Sequence, residues 1–185
     1  LIKQDNYFTQ QQNEAQLAYS ASLQMYQLGM NSFYTGTILN DKITSLFAAG
    51  ARSDGYARAL AKGRLYRHLY KEYVMMEKYN LLQFHFHLPD STSFLRFHQP
   101  QKFGDNLSEV RHSVTITNKE QRQINGFEAG KIRAGFRHIF PIEHNGKHVG
   151  SVEMSITTRA ISDGMDKLDP GKEYIFLLSK KLIEE

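Results

Sequence analysis

The spacing of apolar residues changes near position 80 and divides the chain into two regions. Before that point apolar side chains recur every three or four residues, as Leu39, Ile43 and Phe47 do, which is the pattern of one buried helix face. After it the period falls to two, which is the pattern of a half-buried strand. The pattern predicts a helical region over residues 1–80 and a sheet-containing module over residues 81–185.

Two long helices are predicted in the first region. Residues 10–28 are rich in Gln, Ala, Leu and Met and contain no proline, and the helical pattern continues to Gly50, a residue type that commonly ends helices. Ser53 or Asp54 is a suitable N-cap for a second helix that runs to about Tyr79. A first helix of this length would measure roughly 60 Å. It could be a stalk or dimer seam, or an ordinary helix packed across a sheet.

Two hairpins are predicted in the second region. Pro-Asp-Ser-Thr at 89–92 has the composition of a turn between two strands, and Asn-Gly at 145–146 is the strongest two-residue hairpin signal. Between the hairpins we expect a short helix near 105–111, a segment near 115–122 and a Gly-rich strand at 126–135. After the second hairpin we expect a helix at 160–168 and a strand at 174–178. The predicted fold class is α+β, with long N-terminal helices followed by an antiparallel sheet of about five strands.

The turn at 89–92 fixes a register for the first hairpin. If its end residues face each other, Phe86 lies opposite Leu95 on an apolar face, and His85 lies opposite Arg96 on a polar one. The same register pairs His87 with Phe94 and Gln83 with His98. A face that combines His, Arg and Phe is typical of a pocket that holds an anion or a polar ligand against an aromatic wall.

The Asn-Gly turn gives a register for the second hairpin in the same way. It places Ile142 opposite Val149 and His138 opposite Glu153, with Arg137 on the reverse face. His138 and Glu153 either form a cross-strand ion pair that satisfies both groups or line the pocket.

Composition narrows the classes of function. The chain of 185 residues is 41% hydrophobic, has a formal net charge of +4 and contains no cysteine, which excludes disulfides and thiol chemistry. The mild and dispersed positive charge does not predict nucleic-acid binding. No apolar run is long enough for a membrane span, and no signal peptide is evident. The chain begins at Leu1 rather than at Met, so we expect a piece of a longer protein that has lost flanking membrane segments.

Neither catalysis nor a cofactor is predicted. The chain has no nucleophile-elbow motif, no pair of carboxylates in a polar cleft and no Gly-rich phosphate loop. His85 and His87 would point to the same side of a strand, as two metal ligands can, but a third ligand such as His98 would have to come from elsewhere. We therefore expect no metal site and no enzyme activity.

Three stretches of the chain resemble successive strands of double-Cache-type, PAS-like periplasmic sensor domains. They are FHFHLPDSTSFLRFHQPQKFGDNL at 84–107, the block from GFEAG to GFRHIFPI at 126–142, and HNGKHVGSVE at 144–153. Such domains occur in bacterial chemoreceptors, sensor histidine kinases and diguanylate cyclases. The likeness covers roughly residues 38–158. It leaves open whether a second sensory module follows.

The resemblance implies a PAS-like sheet carried on a long N-terminal helix, in the periplasmic part of an inner-membrane protein. Together with the hairpin register, it places these residues near a ligand pocket: His85, Arg96, His98, Phe103, Glu128, Arg133 and His138. The function that follows is sensing of a small polar or anionic ligand, such as a carboxylate or an amino acid, by a membrane-tethered homodimer that signals through the N-terminal helix. The alternatives are a protein-partner or dimerisation module without a small-molecule ligand, and a His-based metal sensor.

Overall fold

The computed structural model describes residues 2–129, 134–177 and 179. The chain forms two compact units, one of residues 1–29 with 158–185 and one of residues 30–157. Helices α2 and α3 belong to the same unit as the sheet. The predicted division at residue 80, into a helical region and a sensor module, stays a prediction. Among the described residues, no helix is both long and apolar enough to cross a membrane.

The smaller unit combines the first part of α1 (Ile2–Phe33) with α5 (Thr158–Leu168). These helices approach closely at Gly164, where a Cβ atom would lie 2.9 Å from Ser22 Oγ. Helix α5 agrees with the helix expected at 160–168. The strand expected at 174–178 is not formed by residues 174–177, and Leu178 lies outside the described residues.

The predicted first helix is divided in the structure, so the expectation of one continuous helix to Gly50 was wrong. After α1 a π-helical turn covers Tyr34–Ile38, and α2 then runs over Asp41–Ala51. Asn40 has extended backbone angles (φ −64°, ψ 135°), and its side chain accepts a hydrogen bond of 3.0 Å from the N–H of Lys42. This side-chain cap satisfies a donor that a continuous helix would have paired along its backbone.

Helix α3 and the sheet complete the larger unit. Helix α3 runs over Gly55–Glu77, and α4 over His112–Glu120 replaces the two segments predicted at 105–111 and 115–122. The strands are β1 (Leu81–His87), β2 (Ser93–Arg96), β3 (Ile124–Glu128), β4 (Gly135–His144) and β5 (Lys147–Ile156). They form an antiparallel sheet in the order β2-β1-β5-β4-β3, which confirms the α+β prediction.

One face of the sheet is apolar and is covered by α2 and α3. The ring of Phe47 on α2 packs edge-on against Phe86 and Phe94, with centroids 5.2 Å away in both cases. From α3, the ring of Tyr73 lies 5.4 Å from that of Phe97. These buried aromatic side chains form the core of the unit.

The register of the first hairpin is confirmed in its middle and is wrong at its turn. His85 pairs with Arg96 and Phe86 with Leu95, but a bulge then places His87 opposite Ser93 instead of Phe94. The bulge turns the Phe94 ring to the apolar side, against Phe47. Ser93 thereby joins the polar face.

The register of the second hairpin is shifted by one residue, so the predicted pair of His138 with Glu153 was wrong. A bulge beside the Asn-Gly turn sets Ile142 opposite Gly150, and from there His138 faces Met154. Gly150 has φ +136°, and a Cβ atom on it would lie 2.1 Å from the carbonyl oxygen of His87. Since successive side chains of a strand alternate between faces, this single shift moves Arg137 to the same face as Glu153.

Candidate ligand-binding site

A cavity of about 740 Å³ lies on the polar side of β1 and β2. The segment that follows β2 and the C-terminal end of α3 complete its walls. The lining is rich in hydrogen-bonding groups: Glu77, Gln83, His85, Arg96, His98, Gln99, Lys102, Asp105, Asn106, Arg111 and Arg137. The predicted polar face is therefore a concave site and not an open surface.

Arg96 holds the segment after β2 across the cavity. Its guanidinium donates two hydrogen bonds to Asp105, of 2.7 and 2.8 Å, and one of 2.8 Å to the carbonyl of Lys102. The hydrogen bonds from Arg96 lower the pKa of the Asp105 carboxyl, even though partial burial raises it. Arg96 is almost buried, whereas 42% of the Asp105 side chain is exposed. Asp105 is thus the more accessible partner of this pair.

A buried network of charges forms the floor of the polar face. Glu153 is fully buried and accepts hydrogen bonds of 2.7 Å from both Arg111 and Arg137, one on each carboxylate oxygen. Arg111 also donates to Glu128 at 2.8 Å, and Glu128 accepts from the N–H and the hydroxyl of Ser113. Arg111 thereby ties the start of α4 to strands β3 and β5.

Glu153 and Arg111, at the centre of this network, are both charged at neutral pH. Burial alone raises the pKa of Glu153, but the positive charges of Arg111 and Arg137 outweigh it and lower that pKa to about 2. For Arg111, burial lowers the pKa, and the carboxylates of Glu153 and Glu128 outweigh that effect and raise it. Each buried charge therefore has a partner of opposite sign.

The two histidines of β1 are neutral hydrogen-bonding groups and not the cations that their residue type allows. His85 Nε2 lies 2.8 Å from Ser93 Oγ, and His87 Nδ1 lies 3.2 Å from Ser151 Oγ. Burial lowers the pKa of both imidazoles well below the ordinary value, and that of His87 falls to about 3 although Glu153 opposes the change. The positive charge of the site comes from its arginines and Lys102.

His85, His87 and Glu153 form a group that could hold a metal ion. One ligand atom from each lies within 4.8 Å of the others. Both Glu153 oxygens, however, already bond to the guanidinium groups of Arg111 and Arg137. A cation placed here would meet two positive charges at close range, which disfavours a metal ion.

The structure brings only some of the other predicted site residues to the cavity. His98 lines it. Phe103 is 54% exposed, and the ammonium group of Lys62 lies over its ring. His138 lies on the opposite face of the sheet, where its Nδ1 is 3.2 Å from Asn125 Oδ1. Glu128 binds Arg111 behind the cavity, and Arg133 lies outside the described residues.

The sequence did not predict that Arg111, Arg137 and Glu153 come together in one cluster. Arg137 and Glu153 were assigned to different faces because the hairpin was assumed to be regular. Gly150 was the available signal, since a glycine inside an alternating strand often marks a bulge.

Comparison with known proteins identifies the family and supports the fold. The sensor domain of the V. cholerae histidine kinase DctB is 12% identical, with a TM-score of 0.65 over 88% of this chain and 60% of that chain. The ligand-binding domain of the C. jejuni chemoreceptor Tlp3, solved with L-valine, is 13% identical, with a TM-score of 0.59 over 89% of this chain and 66% of that chain. The chain thus spans about 60% of the length of the DctB sensor domain. No curated protein gave a significant match.

The family assignment rests on the sequence itself. A family model described as a double sensory domain of two-component sensor kinases matches residues 40–185, which is most of the chain. This match confirms the double-Cache resemblance found in the hairpin motifs, and the chain belongs to the family of double sensory domains of two-component sensor kinases.

Proposed function

We propose that this domain is the extracytoplasmic ligand-sensing part of a transmembrane signalling protein, without enzyme activity of its own. It binds a small polar or anionic ligand in the cavity on the polar face of the sheet. The observation that carries the proposal is the cavity of about 740 Å³ with three arginines in its wall. That volume is within the range of small-molecule sites, roughly 300–1,000 Å³.

The chemistry of the wall favours a carboxylate or an amino-acid-like ligand. Arg96 is the guanidinium best placed to bind one, because its present partner, Asp105, is partly exposed and can be exchanged for a ligand carboxylate. Arginine binds carboxylates through two parallel hydrogen bonds, which gives both affinity and orientation. Glu77 and Asp105 supply negative charge for a ligand amino group. The Tlp3 domain solved with L-valine supports this class of ligand by analogy of fold.

The test is a thermal-shift screen of this chain against amino acids and small organic acids, followed by calorimetry on any hit. A ligand at a hundred times its Kd adds about 2.7 kcal/mol to the free energy of unfolding. Arg96→Lys keeps the charge but loses the bidentate geometry, so we expect the ligand to bind at least tenfold more weakly. Arg122→Lys, at an exposed arginine paired with Glu120, is the matched control and should bind normally. A folded protein that no compound of these classes stabilises would contradict the proposal.

Signal transmission is proposed to pass from the sheet to the N-terminal helix. Phe33 at the end of α1 lies 5.8 Å from the Phe84 ring on β1. Tyr34 stacks on Phe140 of β4 at 4.4 Å, and its hydroxyl donates a hydrogen bond of 2.6 Å to the carbonyl of Pro141. A ligand that binds two arrangements of the sheet with different affinity would shift these contacts and with them the end of α1.

Homodimerisation through α1 is proposed because large apolar side chains are exposed along it. Leu17 is 72% exposed and Leu28 is 69% exposed, and their spacing of about three turns puts them on the same side of the helix. Sedimentation velocity should show a dimer that Leu17→Glu combined with Leu28→Glu converts to monomer. Tyr79→Glu, at an exposed residue after α3, is the control and should leave the dimer intact. A monomeric wild-type chain would speak for the partner-protein alternative.

A His-based metal sensor is the second candidate, favoured by the group of His85, His87 and Glu153. Zinc or nickel should then bind the purified domain with one ion per chain, and His87→Gln should abolish that binding. If neither metal binds, the small-ligand proposal is the one that remains. The two buried arginines bound to Glu153 lead us to expect this second result.

A further inference from the structure

A second concave surface lies between α2 and α3 and is lined almost entirely by basic side chains. Lys42 and Leu46 come from α2, and Arg64, Arg67 and His68 come from α3. The volume of this basic groove is about 300 Å³. The three α3 residues follow the i, i+3, i+4 spacing that places side chains on one face of a helix. The basic groove has no lining residue in common with the cavity on the polar face of the sheet.

The cationic groups of the basic groove lack counter-charges in the described part of the chain. Among the described residues, Lys42, Arg64 and Arg67 have no carboxylate within ion-pair distance, and the side chains of these residues and of His68 make no hydrogen bond. By contrast, Arg96 and Arg111 elsewhere in the same unit are each paired with a carboxylate. Like charges gathered without a partner repel one another, and an anion bound among them removes that repulsion.

We propose that the basic groove binds a phosphate-type oxyanion, either a free phosphate compound or the headgroup of an anionic phospholipid. Two guanidinium groups on one helix face offer forked N–H donors, which match the oxygens of a phosphate group. Lys42 from the facing helix adds a point charge on the other side of the anion. Leu46 is partly buried and provides the apolar wall. This site would act independently of a ligand in the cavity.

The experiment titrates the whole chain at low ionic strength with inorganic pyrophosphate and, separately, with vesicles of phosphatidylcholine that contain phosphatidylglycerol. Arg64→Gln combined with Arg67→Gln should weaken binding at least tenfold, because it removes both forked donors and keeps good helix formers. Lys78→Gln combined with Lys147→Gln removes the same charge at exposed sites outside the groove and should weaken binding less than threefold. Binding should fall as salt is added. Pyrophosphate binding indicates a free phosphate compound as the ligand, and binding of vesicles alone indicates a lipid headgroup.

Three results would overturn the proposal. One is that neither probe binds the wild-type chain at low salt. Another is that both double variants weaken binding equally, which would mean that only net charge matters. The third is that Lys102→Gln in the cavity abolishes pyrophosphate binding while Arg64→Gln with Arg67→Gln does not, which would place the oxyanion in the cavity.

Discussion

Replacement of Glu153 by glutamine would test whether the buried charge network stabilises the fold. Glu153 lies at the centre of the polar face with no exposed surface, and each of its oxygens accepts a hydrogen bond of 2.7 Å from an arginine. Glutamine has nearly the same shape but no charge, and its amide nitrogen cannot accept a hydrogen bond from a guanidinium. The variant would leave Arg111 and Arg137 with the single carboxylate of Glu128.

Two independent arguments give the size of the effect. Removal of one partner from a buried ion pair destabilises proteins by about 3–5 kcal/mol, because a buried charge loses its counter-charge. The pKa of Glu153 falls from an ordinary value of 4.5 to about 2 in the folded state. That fall corresponds to about 3 kcal/mol of stabilisation. We therefore expect Glu153→Gln to lower the free energy of unfolding by about 3–4 kcal/mol at neutral pH.

The pH dependence of this loss follows from the direction of the pKa change. Because the pKa of Glu153 is lower in the folded state, the carboxylate contributes its full stabilisation above about pH 4.5 and loses it as the pH falls toward 2. Urea unfolding, followed by far-ultraviolet circular dichroism, gives the free energy of unfolding of both proteins. The difference between wild type and Glu153→Gln should be largest at neutral pH and should shrink below about pH 4.5.

The control is Glu120→Gln, which breaks the ion pair of Glu120 with Arg122. The side chains of that pair are 46% and 60% exposed, and exposed pairs contribute about 0–1 kcal/mol. This account of the network would be refuted if Glu153→Gln lowered the free energy of unfolding by less than about 1 kcal/mol. It would also be refuted if that decrease stayed constant from neutral pH to about pH 3.

Three further predictions concern the bulge, the break between helices and the core. Gly150→Ala should lower the free energy of unfolding by more than about 2 kcal/mol, because its Cβ would lie 2.1 Å from the His87 carbonyl oxygen at a φ of +136°. Gly126→Ala, with open space around its Cβ, should change it by less than about 1 kcal/mol. Asn40→Ala should lower the free energy of unfolding by about 1 kcal/mol, because it removes the side-chain cap of α2. Phe47→Ala should lower the free energy of unfolding by about 3–5 kcal/mol, because it opens a cavity between α2 and the sheet. Urea unfolding measures all four, and a change outside the stated range contradicts the corresponding argument.

Local patterns in the sequence predicted the helical character of the first 80 residues, the two hairpins and part of the site, but not the break before α2 or the bounds of α4. The period of two after residue 80 and the Asn-Gly dipeptide predicted both hairpins, and Asn145 and Gly146 have the positive φ angles of 53° and 68° that such a turn needs. The pairing of His85 with Arg96 was predicted from the turn and from strand alternation, and it holds because the bulge next to the turn offsets the one-residue difference there. The hairpins and the alternation of their strands are decided by residues close together in the chain.

What the sequence could not supply was the position of the two bulges, and with it the buried charge network. A bulge forms where the gain in packing across the sheet exceeds the loss of a regular ladder, and that gain depends on residues far away in the chain. Phe94 turns toward Phe47, and Gly150 fits against the carbonyl of His87. The sequence by itself determined the change from helical to strand periodicity, the two hairpins and the family. Only the tertiary structure decided which face received Arg137, because one shifted residue exchanges the two faces of a strand.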